Sequence, residues 1–131
     1  MTTQAEKAAV GRLGEDLAVE LLTSQGWRVL RRNWRSPVRE CPGELDVVAV
    51  DPDGAVVVVE VRTRRGSACG TALESVTPGK VRRLRRLFAA WWSSLPPDDR
   101  GPRGAGARID VVAVQLAPGA VPQLEHVRGV G

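Results

Sequence analysis

The chain lacks the raw material for several function classes. Its 131 residues include two cysteines, Cys41 and Cys69, and one histidine, His126. That is too little for a zinc site of four cysteine or histidine ligands, or for a disulfide-stapled scaffold. No apolar run approaches the roughly 20 residues needed to span a bilayer. Met1–Val10 has no apolar core of the kind that directs secretion, so the expected location is the cytoplasm. Lysine is scarce as well: only Lys7 and Lys80 are lysines, and the other 17 basic residues are arginine.

What is present is an ordinary globular balance, 43% hydrophobic and 26% charged, which excludes a disordered or collagen-like chain. The length suits a single domain over 1–131, large enough to bury a core without staples. Nineteen basic residues against fifteen acids give a net charge of +4 and a pI near 10. A basic domain favours polyanionic partners, either nucleic acid or an anionic membrane face.

Hydrophobic periodicity and turn residues divide the chain. Val10, Leu13, Leu17 and Leu21 repeat at helical spacing within residues 5–25, and Gly26 ends that helix. Trp27–Trp34 reads as a strand with Trp27, Val29 and the Arg31 stem on one face. Glu44–Val50 and Ala55–Arg64 are two further strand-like runs. Thr77-Pro78 opens a second helix, threonine capping and proline in the first turn, that runs to about Ser93. Residues 96–106 are rich in proline, glycine and charge, the composition of a mobile loop. Ala107–Leu116 and Val121–Val127 close the domain as strands. The order is α-β-β-β-α-β-β.

A turn fixes a register. Pro52-Asp53-Gly54 suits a three-residue hairpin loop, with proline preset for the first turn position and glycine accepting the left-handed conformation. Asp51 then faces Ala55, Asp46 lies opposite Glu60, and Glu44 lies opposite Arg62, all on one side of the sheet. Opposed carboxylates repel unless a cation sits between them. Glu60 is embedded in Val56–Val61, a run that reads as buried, where an unpaired acid is costly. A hard divalent ion offsets that cost without histidine or cysteine. Cross-strand ion pairs are the competing reading. Glu15 adds a third acid: it lies on the shoulder of the apolar side of the first helix, beside Gly11 and Ala18, while Asp16 and Glu20 belong to the polar arc. A glutamate snorkelling past alanine to solvent is the plainer alternative.

The second helix carries Lys80, Arg82, Arg83, Arg85 and Arg86 against Val81, Leu84, Leu87, Phe88 and Trp91. A basic amphipathic helix can track a phosphate backbone, lie on a membrane, or simply present a solvated face. Arg64-Arg65, and Arg31-Arg32 with Trp34 and Arg35, are weaker candidates for the same footprint. Trp91-Trp92 reads as core and helix end.

Gly11-Arg12-Leu13-Gly14-Glu15, Gly43-Glu44-Leu45-Asp46 and Val59-Glu60-Val61-Arg62-Thr63-Arg64 resemble the motifs of the YraN-like family of uncharacterised bacterial proteins. Lys80 with Arg83-Leu84, and Arg108-Ile109-Asp110-Val111, fit its later motifs, so the resemblance covers nearly the whole chain in order. That family is similar to archaeal Holliday junction resolvases and to the restriction-endonuclease-like PD-(D/E)xK superfamily. The resemblance implies an α/β fold with a mixed central sheet between helices, and a Mg²⁺- or Mn²⁺-dependent phosphodiesterase site. It makes Asp46 and Glu60 metal ligands, Glu15 a supporting acid, and position 62 the third member of the E-x-K element. The family has lysine where this chain has Arg62. Arginine stays charged and cannot act as a base, but it can stabilise a charged phosphate. Lys80 is the other candidate cation, although nothing in the sequence aims it at the site.

The leading expectation is therefore a metal-dependent endonuclease acting on branched or structured DNA. The alternatives are a non-catalytic nucleic-acid-binding module on the same fold, and a protein-interaction domain whose acids form only ion pairs. No membrane partner is expected; a homodimer is left open.

Overall fold

The computed structural model describes residues 3–66, 76–99 and 107–131. Its elements are α1 (Gln4–Ser24), β1 (Arg28–Arg35), β2 (Glu44–Val50), β3 (Val56–Arg65), α2 (Pro78–Ser94), β4 (Arg108–Leu116) and β5 (Gln123–Val127). The order is the one expected. Of the loop anticipated over 96–106, Pro97–Asp99 form a short 3-10 turn, and 100–106 lie outside the described residues. Cys69 lies outside them too. Among the described residues no helix is long and apolar enough to cross a membrane.

Capping explains where the helices begin. Thr3 accepts the Glu6 N–H at 3.1 Å while Glu6 reaches back to the Thr3 N–H, a reciprocal cap that satisfies two otherwise orphaned donors. Thr77 accepts the Lys80 N–H at 3.2 Å, with Pro78 next in line, so α2 starts where the sequence indicates.

The five strands form one sheet in the order β1-β2-β3-β4-β5. The first three run antiparallel, β3 and β4 run parallel, and β5 returns antiparallel. Parallel neighbours require a crossover, and α2 supplies it. On one face of the sheet Val47, Ala49, Val57, Val59, Val112 and Val114 pack on Ala18 and Leu22 of α1. On the other, Val48, Val58 and Ile109 pack on Leu84, Leu87, Phe88 and Trp91 of α2. Strands covered on both sides read as near-continuous valine, as these do. A mixed sheet between helices in this element order is consistent with a restriction-endonuclease-like fold.

The hairpin register is the counted one. The Asp51 N–H donates to the Ala55 carbonyl at 2.9 Å, Gly54 takes φ +90°, and Val47 pairs with Val59, Val48 with Val58 and Val50 with Val56. The paired register stops at Val47–Val59, and the next step would set Asp46 against Glu60.

The first strand departs from simple alternation. Its register shifts between Val29 and Arg31, so Arg31 pairs with Val48 and Arg32 with Val47. A bulged residue reverses the faces beyond it. Arg32, and not Arg31, therefore turns towards α1, and Asn33 sits in the left-handed region at φ +52°. Helix α1 meets β3 closely at Gly14, where a Cβ would fall 1.8 Å from Thr63 Oγ1. Only glycine permits that approach.

Candidate functional site

The site sits where β2 and β3 part. In an unbroken ladder alternating with the Asp51–Ala55 pair, the Val61 N–H would bond the Leu45 carbonyl. Instead it donates to Asp46 Oδ2 at 2.9 Å. The strand rotates there: Leu45 joins the α2-side core, although alternation from Val47 would send it to the α1 side. Asp46 thus reaches the gap between the strands and lines clefts on both sides of the sheet end. Glu44, Asp46, Glu60 and Arg62 all line the α2-side cleft, so they share that side as expected, and Asp46 and Arg62 reach the α1-side cleft as well. Asp46, Glu60 and Arg62 meet in the α2-side cleft, of about 320 Å³, whereas Glu44 at its rim pairs with Arg35 at 3.6 Å.

Glu60 is only 5% exposed. Arg62 Nη2 lies 3.4 Å from Glu60 Oε2, and Lys80 Nζ lies 3.2 Å from the same oxygen. The first turn of α2 aims Lys80 at the carboxylates, which sequence reasoning did not anticipate. Lys80 lines the cleft together with Arg83. The available signal was that Lys80 stands at the start of the one helix covering the Glu60 face.

Among the described residues no cation pairs with Asp46. Burial, and then the charge of Glu60 beside it, push its carboxyl up to about 8, against the pull of the Val61 N–H. Glu15 lies close enough to raise it further. Glu15 is itself buried, with a carboxyl raised above the usual range by that burial, although Arg32 and Asn33 pull it down. Arg32 Nη2 sits 3.4 Å from Glu15 Oε1 and 2.6 Å from Asp16 Oδ1. So Glu15 faces inward and Asp16 stays exposed to water, both as anticipated, and Asp16 also pairs with Arg32.

These partners also trim the anticipated phosphate footprint. Arg32 is engaged by two acids, Trp34 is buried, and Arg35 pairs with Glu44. On α2, Arg85 donates to the Ala107 carbonyl at 3.0 Å and reaches that of Gly131 at 3.4 Å, so it braces the fold. Arg82, Arg83, Arg85 and Arg86 are all exposed, with Arg83 lining the cleft. Trp91 is buried and Trp92 packs against the core, as expected.

The profile of the uncharacterised protein family UPF0102 matches residues 14–114, a span that holds Glu15, Asp46, Glu60, Arg62, Lys80 and Asp110. A UPF0102 protein of Mycobacterium sp. (strain KMS) is 50% identical over 131 residues, covering 99% of this chain and 90% of that one. One from Mycolicibacterium gilvum is 48% identical with both chains fully covered, and one from Mycobacterium bovis is 45% identical over 95% and 94%. The chain belongs to UPF0102.

The carboxylate pair of Asp46 and Glu60 is the donor type that a hard divalent ion takes. Among the described residues no three histidine, cysteine or carboxylate side chains converge into a cage. Asp46 and Glu60 do converge, and Asp46 is short of positive charge. Mg²⁺ suits such a donor set, because it takes one or two carboxylates and completes its shell with water and substrate phosphate.

Proposed function

We propose that this protein is a Mg²⁺- or Mn²⁺-dependent endonuclease that hydrolyses phosphodiester bonds in branched or structured DNA in the cytoplasm. The observation that carries this reading is the pairing of opposites at one sheet end. Two converging carboxylates, one of them without a counter-ion among the described residues, adjoin two cations in an open cleft.

Asp46 and Glu60 would hold the metal, which when bound supplies Lewis-acid polarisation of the phosphate and a more acidic water. The remaining chemistry belongs to the chain. Arg62 and Lys80 place two fixed positive charges beside the position where negative charge grows on the phosphoryl oxygens. Lys80 thereby offers the ammonium that the resemblance leads one to seek at position 62. Glu15 keeps Arg32 and Asp16 in a network behind the site and adds negative potential at Asp46. Arg82, Arg83 and Arg86 extend positive charge along the exposed face of α2, where a phosphate backbone would lie.

One observation favours a second reading. Glu60 is already matched by Lys80 and Arg62, so the same cleft would hold a DNA phosphate without cutting it. The two readings separate in a paired experiment: calorimetric titration with Mn²⁺, and cleavage of labelled four-way, flap and linear DNA. Metal binding abolished by Asp46→Asn, together with cleavage, supports the nuclease. DNA binding with neither metal binding nor cleavage supports the binding module.

A further inference from the structure

A second cleft opens on the α1 side of Asp46, with a volume of about 410 Å³. Lys7, Val10 and Gly11 of α1 form one wall, Arg62 and Arg65 of β3 form the other, and Asp46 stands at its edge. Asp46, Val61 and Arg62 line this cleft and the α2-side cleft alike, so the two meet over those residues. Three cations and one carboxylate line it; Arg62 also pairs with Glu60, and among the described residues its buried Nε has no hydrogen-bond partner. Such a lining takes an anion. The volume falls within the range of small-molecule sites, roughly 300–1,000 Å³, and the Val10–Gly11 wall offers an apolar surface for a sugar or base edge. Among the described residues no aromatic side chain lines it, so nothing there selects bases by stacking.

We infer that this cleft is a nucleotide subsite, which holds the nucleotide next to the phosphodiester bound over Asp46 and Glu60, without base preference. The inference rests on the nuclease reading and assigns the path of the strand: from Lys80 and Arg83, over Asp46 and Arg62, to Lys7 and Arg65.

Gly11 makes the test sharp, because a Cβ built there meets nothing within 4 Å. Gly11→Leu fills the cleft without changing charge, and it puts a better helix former in α1. The assay is fluorescence anisotropy of labelled oligodeoxythymidylate and oligodeoxyadenylate against salt, in Ca²⁺, with thermal melting of each variant. Gly11→Leu is expected to melt at or above the parent temperature and to bind both strands at least about tenfold more weakly, a loss of about 1.4 kcal/mol. Lys7→Ala with Arg65→Ala is expected to flatten the log–log salt slope by about 1.4, at about 0.7 per phosphate contact on a single strand. That charge variant keeps the inference testable if Gly11→Leu fails to fold. If the parent binds DNA and both variants match it in affinity and slope, the subsite is overturned and the nuclease reading stands. A preference of the parent for one oligonucleotide that Gly11→Leu removes overturns the claim of base indifference. If the parent binds no nucleic acid, the nuclease reading itself falls, and the subsite with it.

Discussion

Leu45–Val50 and Ile109–Val114 are nearly the same hexapeptide, Leu-Asp-Val-Val-Ala-Val and Ile-Asp-Val-Val-Ala-Val. Each is a central strand flanking β3, yet their aspartates meet opposite fates. β2 runs antiparallel to β3 and β4 runs parallel to it, and Asp110 pairs with Val59, one step along β3 from the Glu60 that Asp46 would face, so the two aspartates lie at neighbouring levels on either side of β3. Asp110 is fully buried and satisfied: Arg108 Nε at 2.8 Å and Nη2 at 3.0 Å, the Gly129 N–H at 3.0 Å, and His126 Nε2 at 2.9 Å. Those partners overcome burial and hold its carboxyl below the usual range. Asp46 has one N–H and a carboxylate neighbour, and its carboxyl is raised to about 8. Local sequence is therefore silent about role. The acid supplied with cations closes the fold, and on the nuclease reading the other holds an ion.

The comparison breaks most readily through stability. Asp110→Ala removes the group that Arg108 and His126 address and leaves Arg108 with Asp51 alone, 3.0 Å away. Breaking a buried ion pair from one side typically costs about 3–5 kcal/mol, measurable as a urea midpoint shift with unchanged slope. Asp46→Asn keeps an acceptor for the Val61 N–H and relieves the repulsion with Glu60. Its metal-free stability should stay within about 1 kcal/mol of the parent or rise, while Mn²⁺ affinity and cleavage disappear. Equal stability losses at the two aspartates would erase the distinction.

The same contrast predicts opposite pH limits. Asp51 and Asp110 are depressed, so their contribution is fully present above the unfolded value of about 3.8 and is lost as pH falls through their folded values. Asp46 is raised, so its contribution is present below that unfolded value and is lost as pH rises towards about 8. Thermal melts of the metal-free protein should fall at both ends. Asp46→Asn should abolish the loss that develops between about pH 3.8 and about 8 and spare the acid one. A loss over that window that persists in the variant would assign it to another group.

Much of this was legible because it is local. The Pro52-Asp53-Gly54 loop set the strand register, and Thr77-Pro78 set the start of α2. Glu60 inside a valine run marked an acid needing explanation. What stayed hidden depends on distant neighbours. The β1 bulge that turns Arg32 onto Glu15 leaves no turn signature in Val29-Leu30-Arg31. The tie of Arg85 to Ala107 and Gly131, and the reach of Lys80 to Glu60, depend on how α2 crosses the sheet. The rotation at Leu45 that frees Asp46 follows from the same core packing.

The two glycines of Gly11-Arg12-Leu13-Gly14 extend the contrast to α1. Gly14→Ala drives a methyl into Thr63 and should cost about 1–3 kcal/mol, as overpacking does. It should also weaken cleavage by displacing Glu15. Gly11→Ala meets open space and should stabilise the helix by about 0.5–1 kcal/mol. Chemical denaturation of the pair checks both signs, and matching signs would show that the α1–β3 approach is looser than described.

The smallest effect is expected at Arg62, the departure that first put activity in doubt. Arg62 and Lys80 share one oxygen of Glu60, and both are about 30% exposed, at 31% and 28%. Each therefore compensates in part for the loss of the other. Solvent screening limits either pair to roughly 0–1 kcal/mol of stability, so folding is a poor readout and single-turnover cleavage a good one. Arg62→Lys keeps a positive charge on Glu60 and should leave the rate within about threefold of the parent, under about 1 kcal/mol in the barrier. Arg62→Ala and Lys80→Ala should each lower the rate more than that, with Mn²⁺ affinity retained because the carboxylates bind the ion. The double variant should fall by more than the product of the single effects, since neighbours that share a partner are not additive. Strict additivity would mean the cations act on different atoms. An inactive parent restored by Arg62→Lys would mean that arginine at position 62 disables the nuclease, which leaves this chain with the binding role alone.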